Sequence, residues 1–245
     1  MNSNAPSILP LQARGLRYEA GGTVLIKDMS FRLECGSRTV ILGHNGAGKS
    51  LLLRLCHGLI QPSAGTLTWE GAAAAAIDDP AAHQAMVFQR PVMLRRTAAE
   101  NVDYALRLRK VPAAERRRLV ADALRRTKLH RHADRQARTL SFGEQQRLAL
   151  ARAWAMQPHI LFLDEPTASL DPAVTRSIEE LINAIHERGA KIVMSTHDLG
   201  QARRLADDIL FLHRGRLLAQ APAAAFLDRP DSDAARAFIA GELYW

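Results

Sequence analysis

The sequence predicts an α/β fold around a mainly parallel sheet. Short apolar runs, each the length of one buried strand, alternate with segments of helical periodicity. A glycine-rich turn at Gly43–Ser50 separates one run from a helix, and another run ends in two carboxylates, Asp164 and Glu165. At 245 residues the chain exceeds the usual domain of ~100–150 residues, so an enlarged α/β domain or a core carrying a subdomain fits best.

The elements follow in order. Arg38–Leu42 reads as a buried strand, and Lys49–His57 as a helix with Gly58 at its C′ stop. The Ala72–Ala76 run reads as a tolerant surface loop. Thr97 and Glu100 form a capping-box pattern for a helix that stops before Pro112, and a second helix runs over 113–127. Ser141 and Glu144 open a further helix in the same way. His159–Leu163 is a buried strand. Pro172 starts a helix whose apolar face, Val174, Ile178, Leu181, Ile182 and Ile185, ends at Gly189. Strands follow over 191–195 and 209–212, the latter turning through Arg214-Gly215 into Leu217-Leu218.

Composition narrows the function. The net charge is +8 with 5% aromatic residues, which argues against an aromatic nucleic-acid platform and leaves an acidic partner, a lipid surface or a nucleotide. The basicity is local: residues 90–152 hold seventeen Lys/Arg against six Asp/Glu. A solvated arginine-rich helical face is the plain reading of that excess. Cys35 and Cys56 make neither a metal framework nor a disulfide-stapled domain. Met1–Gln12 lacks an export signal, and no stretch approaches the ~18 apolar residues of a span. The expectation is a soluble cytoplasmic protein that serves a membrane, if at all, through a partner.

Gly43-His44-Asn45-Gly46-Ala47-Gly48-Lys49-Ser50 matches the P-loop pattern, with strand before and helix after. Its backbone N–H groups would wrap a phosphate chain, Lys49 would reach the β/γ-phosphates, and Ser50 would ligate Mg²⁺. Asp164 would hold the metal and Glu165 would polarise the attacking water. His197, after the strand ending in Ser195-Thr196, stands where a γ-phosphate sensor could sit. Taken singly, these motifs also read as a glycine turn, a strand-end acid and a structural histidine. Ser141, Gly143 and the following helix N-terminus form a second anion site, which suggests a composite site shared by two chains.

Together, and in this order, the motifs resemble the ATP-binding subunits of ATP-binding cassette (ABC) transporters, over about Leu11–Leu218. The resemblance implies a P-loop NTPase of ABC ATPase fold, with a mainly parallel core sheet, an N-terminal antiparallel β portion and a helical subdomain. As one domain over 1–245, it divides into a core at 11–88 and 153–220, a helical subdomain at 89–152 and a short helical tail at 221–245. Residues 43–50, with Leu51, resemble the Walker A loop, 160–165 Walker B, and 140–144 the signature. Tyr18 resembles the adenine-stacking aromatic, Gln89 the Q-loop residue that senses Mg²⁺ and the membrane partner, Asp171 the D-loop aspartate, and His197 the switch histidine. The signature departs from the family at Phe142, usually Gly, and Glu144, often Gln, while Ser141 and Gly143 remain.

By this resemblance ATP and Mg²⁺ are the ligands, and Glu165, His197, Lys49 and Gln89 do the chemistry. ATP contacts would come from Tyr18, 43–51, Ser141, Gly143, Glu144 and Asp171, and Mg²⁺ ligation from Ser50, Gln89 and Asp164. Two copies would close head-to-tail, beside separate transmembrane permease subunits and indirectly a solute-binding protein, on the cytoplasmic face of the inner membrane. Residues 89–96 and 196–202 are most similar to importers of tungstate, phosphate or molybdate-like oxyanions. An exporter cassette, or a soluble ABC ATPase acting on nucleic acid, are the alternatives; no nucleic acid is expected.

Overall fold

The structure, a computed structural model, describes residues 7–74, 77 and 79–242. Met1–Pro6, Ala75 and Ala76 of the alanine run, and Leu243–Trp245 of the tail therefore lie outside it.

Two sheets make the frame. β1 (Leu11–Ala20), β2 (Thr23–Leu33) and β4 (Ala64–Trp69) form an antiparallel sheet in the order β2-β1-β4. The larger sheet uses β3 (Arg38–Leu42), β5 (Gln84–Val87), β6 (Ile160–Asp164), β7 (Lys191–Thr196), β8 (Asp208–His213) and β9 (Arg216–Pro222). Its order is β5-β6-β7-β3-β8-β9, parallel except for the edge strand β9, which pairs antiparallel to β8. The α/β fold with a mainly parallel core sheet and an N-terminal antiparallel portion is thus observed. Several strand ends move by one residue: β6 spans 160–164 rather than 159–163, β7 extends to Thr196, and β8 spans 208–213 rather than 209–212.

Side-chain alternation with a period of two divides the interior. Val40, Leu42, Leu161, Leu163, Ile192, Met194, Ile209 and Phe211 face one core. Ile41, Ile160, Phe162, Val193, Leu210 and Leu212 face the other. The first core lies under the helices α2 (Ala98–Leu108), α3 (Ala113–Arg126), α4 (Phe142–Met156), α5 (Pro172–Glu187), α6 (Leu199–Leu205), α7 (Ala223–Asp228) and α8 (Asp233–Ala240). The second is closed by α1 (Lys49–His57) and the antiparallel sheet. A parallel sheet buried on both faces gives near-continuous apolar runs, which is why these strands were legible. Among the described residues, no helix is long and apolar enough to cross a membrane.

The alanine run is not simply a loose loop. Ala73 is buried, and its N–H donates to the Ser7 carbonyl at 3.1 Å, pinning this segment beside the chain's first described residues.

Helices α2, α3 and α4 pack on one another, and much of the local arginine excess is structural. The Arg109 guanidinium reaches the Met156 and Gln84 carbonyls at 2.7 and 3.1 Å. Arg116 pairs with Asp103 at 2.7 Å, and Arg138 and Arg152 donate to Met93 and Val92 carbonyls at 3.1 and 3.0 Å. Arg126 stacks on the Trp154 ring at 5.4 Å, and Arg188, from the end of α5 outside this segment, covers the same ring at 4.1 Å. These cations hold the unit together; Arg117, Arg118, Arg125 and Arg131 remain on its exposed surface.

Candidate functional site

Parallel strands present their carboxyl ends on one edge of the sheet, and ligands of open α/β sheets bind there. Here the neighbours β6, β7 and β3 end in Asp164-Glu165, Thr196-His197 and the glycine-rich loop. Gly43 leaves β3 so close to β8 that a Cβ would lie 2.3 Å from the Leu212 carbonyl. Gly48 caps α1 at φ 102°, a left-handed conformation that costs glycine little. The loop is braced from the far end of the chain. Gly215 donates to the Ala47 carbonyl at 3.1 Å and accepts from the Lys27 N–H at 2.7 Å.

A cleft of about 780 Å³ opens on this edge, lined by Asn45, Gly46, Gly48, Lys49, Ser50, Leu51, Gln89, Glu165, Thr196, His197 and Asp198, with Leu25 and Thr167–Ser169 completing the wall. The Lys49 ammonium, 5% exposed, donates to the Gly43 and His44 carbonyls at 2.8 and 3.2 Å and lies 3.4 Å from Glu165 Oε1. The other Glu165 oxygen is 3.3 Å from His197 Nδ1. Ser50 Oγ donates to Asp164 Oδ1 at 2.7 Å. Glu165 itself takes a left-handed φ of 41°, unusual for a residue with a Cβ and characteristic of functional sites.

These groups suit polyphosphate chemistry. Lys49 and the α1 N-terminus supply positive charge, and the loop supplies backbone N–H groups. The Ser50 hydroxyl, the Asp164 carboxylate and the Gln89 amide are hard oxygen donors of the kind Mg²⁺ takes, and Ser50 and Asp164 are already in contact.

The remaining candidates lie elsewhere. Tyr18 sits opposite Ile26 in the β1–β2 ladder and packs half-buried on the N-terminal core, while Leu25 lines the cleft. The His44 ring turns away to meet Phe238 of α8 edge-on at 4.9 Å, so its contribution to the loop is its carbonyl. Ser141 and Glu144 close their capping box, with the Ser141 N–H and hydroxyl both donating to Glu144 Oε2 at 2.8 Å. Those bonds, the backbone N–H first, hold the Glu144 carboxyl below its usual range. Gly143 presses on α5, where a Cβ would meet Val174 Cγ1 at 3.0 Å. Asp171 caps α5 through the Ala173 and Val174 N–H groups at 3.0 and 2.9 Å. None of Tyr18, Ser141, Gly143, Glu144 or Asp171 lines the cleft.

Sequence reasoning passed over Ser195, which is fully buried and bonded to both Asp164 and Glu165 N. A hydroxyl following the apolar run Ile192–Met194 beside the phosphate site was its one signal. Thr167, on the loop after Glu165, also went unread; its Oγ1 accepts from the buried Gln201 amide at 2.8 Å, while Ser169, which opens the D-loop resemblance Ser169-Leu170-Asp171, lines the cleft as well.

Comparison with known proteins fits this geometry. A family profile described as ABC transporter matches residues 26–168. A phosphate import ATP-binding protein, PstB 2, of Natronomonas pharaonis is 34% identical over 96% of this chain and 88% of its own. The tungstate uptake system ATP-binding protein TupC of Peptoclostridium acidaminophilum is 36% identical over 85% and 97%. The structure of cbiO1 from Clostridium perfringens, part of the ABC transporter complex cbiONQ, superimposes with a TM-score of 0.79 at 30% identity, covering 92% of both chains. With its phosphate loop, paired strand-end acids and histidine meeting in one cleft, the chain belongs to the ABC transporter family, among the ATP-binding subunits that hydrolyse ATP to power transport.

Proposed function

We propose that this chain hydrolyses Mg·ATP in the cleft and thereby drives import of an inorganic oxyanion, such as tungstate, phosphate or molybdate, through separate permease subunits at the cytoplasmic face of the inner membrane. The observation that carries the reading is Glu165, set between Lys49 and His197 at 3.4 and 3.3 Å. In that position its carboxylate can orient and polarise a water in line with the γ-phosphate, while Lys49 and His197 offset charge developing on the transferred group. Ser50 and Asp164, with Gln89, would hold Mg²⁺, which when bound neutralises phosphate charge. The oxyanion is supported by the phosphate and tungstate relatives and by the similarity of residues 89–96 and 196–202 to such importers.

Ser141 and Gly143, outside the cleft on an exposed helix start, would complete the cleft of a second copy, giving a head-to-tail pair with an ATP at each junction; their exposure outside their own cleft supports this reading. Another cleft, about 280 Å³ between Phe88–Leu94, α2 and α4, is flanked by Val92 and Leu108 at 65% and 67% exposure. Its apolar floor beside Gln89 suits a short permease segment, and through that permease the pair would answer to a solute-binding protein.

Glu165→Gln tests the reading. The variant should bind ATP, abolish turnover and accumulate as an ATP-loaded dimer on size-exclusion chromatography; near-normal hydrolysis sinks the proposal. Co-purification with a permease from detergent-solubilised membranes tests the partner.

A further inference from the structure

We infer that Ser195 is a positioning residue for ATP hydrolysis, its buried hydroxyl setting Asp164 and Glu165 together. The parallel register places Ser195 directly beside Asp164, and Ser195 has no solvent exposure. A serine hydroxyl has one proton to donate and two lone pairs to accept with. Both functions are in use: Oγ donates to Asp164 Oδ1 at 2.8 Å and accepts from the Glu165 N–H at 3.1 Å.

Each bond constrains one acid. Asp164 Oδ1 takes the Ser195 and Ser50 hydroxyls together, at 2.8 and 2.7 Å, so that oxygen is fixed between β7 and α1. Rotating the carboxylate away would leave the buried Ser195 hydroxyl proton without an acceptor. At Glu165 the N–H is shared between the Ser195 hydroxyl and the Ser195 carbonyl, at 3.1 and 3.2 Å. Any residue at 195 retains the carbonyl; only a hydroxyl supplies the second acceptor. The extra bond offsets the cost of holding Glu165 at φ 41°, the conformation from which its side chain reaches Lys49 and His197. One hydroxyl thus couples the acid proposed to hold the metal to the acid proposed to polarise water. The inference rests on those two roles.

Ser195→Ala and Ser195→Thr in the full chain test it, beside Asp164→Asn and Glu165→Gln. Ser195→Ala should lower kcat about 10–100-fold, the usual loss on removing a partner of a metal-holding carboxylate. Its KM for ATP should stay within about threefold, because the cradle for the phosphates is untouched. Mn²⁺ binding to the ATP-loaded protein, read by electron paramagnetic resonance, should weaken about tenfold. Ser195→Thr keeps the hydroxyl and should restore both readings to within about threefold of the parent. A Ser195→Ala kcat within about twofold of the parent overturns the inference, as does a kcat loss matched by equal losses of ATP affinity and thermal stability. Should the alanine variant not fold, Ser195→Cys, of similar size and weaker hydrogen bonding, carries the same criteria. Full turnover in Asp164→Asn and Glu165→Gln would overturn the reading of the site itself. Loss of turnover in those two alone would overturn only the role of Ser195.

Discussion

Lys49 Nζ lies 3.4 Å from Glu165 Oε1, an ion pair that joins the phosphate loop to the end of β6. A bound triphosphate competes with Glu165 for the same ammonium and is repelled by the same carboxylate. Neutralising Glu165 should therefore tighten ATP, by about fivefold for ~1 kcal/mol of relieved repulsion. Lys49→Ala should weaken ATP about 10–100-fold, the loss of a charge-assisted contact. Equilibrium binding of a fluorescent ATP analogue measures both, and weaker binding in Glu165→Gln would show that its carboxylate does not face the phosphates.

Gly143 lets α4 approach α5 closely, with only 3.0 Å between a notional Cβ and Val174 Cγ1. Gly143→Ala should overpack this contact by about 1 kcal/mol and lower the thermal midpoint by roughly 2–4 °C. Adding Val174→Ala returns the space, so the double variant should recover most of the contact strain relative to Val174→Ala alone. Differential scanning calorimetry on the four proteins resolves the coupling; simple additivity would rule the contact out.

Asn101 is fully buried on α2 and closes the turn before it. Its amide donates to the Arg96 and Thr97 carbonyls at 3.2 and 2.9 Å, and its oxygen accepts from the Leu94 N–H at 3.1 Å. Asn101→Leu leaves the Leu94 N–H unpaired, while the Arg96 and Thr97 carbonyls keep the Ala137 and residue-101 N–H groups, and should cost about 1–3 kcal/mol. Urea unfolding gives the loss, and hydrogen exchange should show residues 92–97, the rim of the smaller cleft, opening first. Unchanged exchange there would mean the turn does not depend on Asn101.

Lys191 is buried with its ammonium on the Ser37 and Thr39 hydroxyls, at 2.5 and 2.7 Å. Burial pushes its pKa down to about 8 from 10.5. Below pH 8 both folded and unfolded chains hold the proton, and the cost of the buried charge is fully present. Between about 8 and 10.5 the folded state releases it first, so stability should rise with pH, by on the order of 3 kcal/mol in all. Lys191→Met removes this term. The difference between parent and variant in denaturant midpoint should change over that window only, and a flat difference refutes it.

The strands of the parallel sheet were legible because both faces are buried, so each reads as an unbroken apolar run ending at the functional edge. The phosphate loop was legible because wrapping an anion with backbone leaves few residue choices, as Gly43 and Gly48 show. β4 was not, since its residues are largely exposed and its alternation is confined to Leu67 and Trp69, both only half-buried, and β5 has only four. Ser195 and Asn101 act through partners brought near by folding, and a lone hydroxyl or amide announces nothing in a sequence. The arginine excess was visible as charge but not as structure: Arg109 and Arg152 are tied to backbone carbonyls on neighbouring elements, which a count of charges cannot reveal.

β3 carries the phosphate loop, yet both strands that flank it, β7 and β8, come some 150 residues later, and the Gly215 brace later still. At synthesis rates of about 5–20 residues per second, a nascent chain spends roughly 10–30 s with its nucleotide loop made and the supports for it untranslated. A cleft braced by β7, β8 and Gly215 is therefore complete only after the last strands have been made. An interrupted translation product ending before β7 would be an unfinished sheet with exposed edges, open to chaperones and proteases, rather than a free-running ATPase.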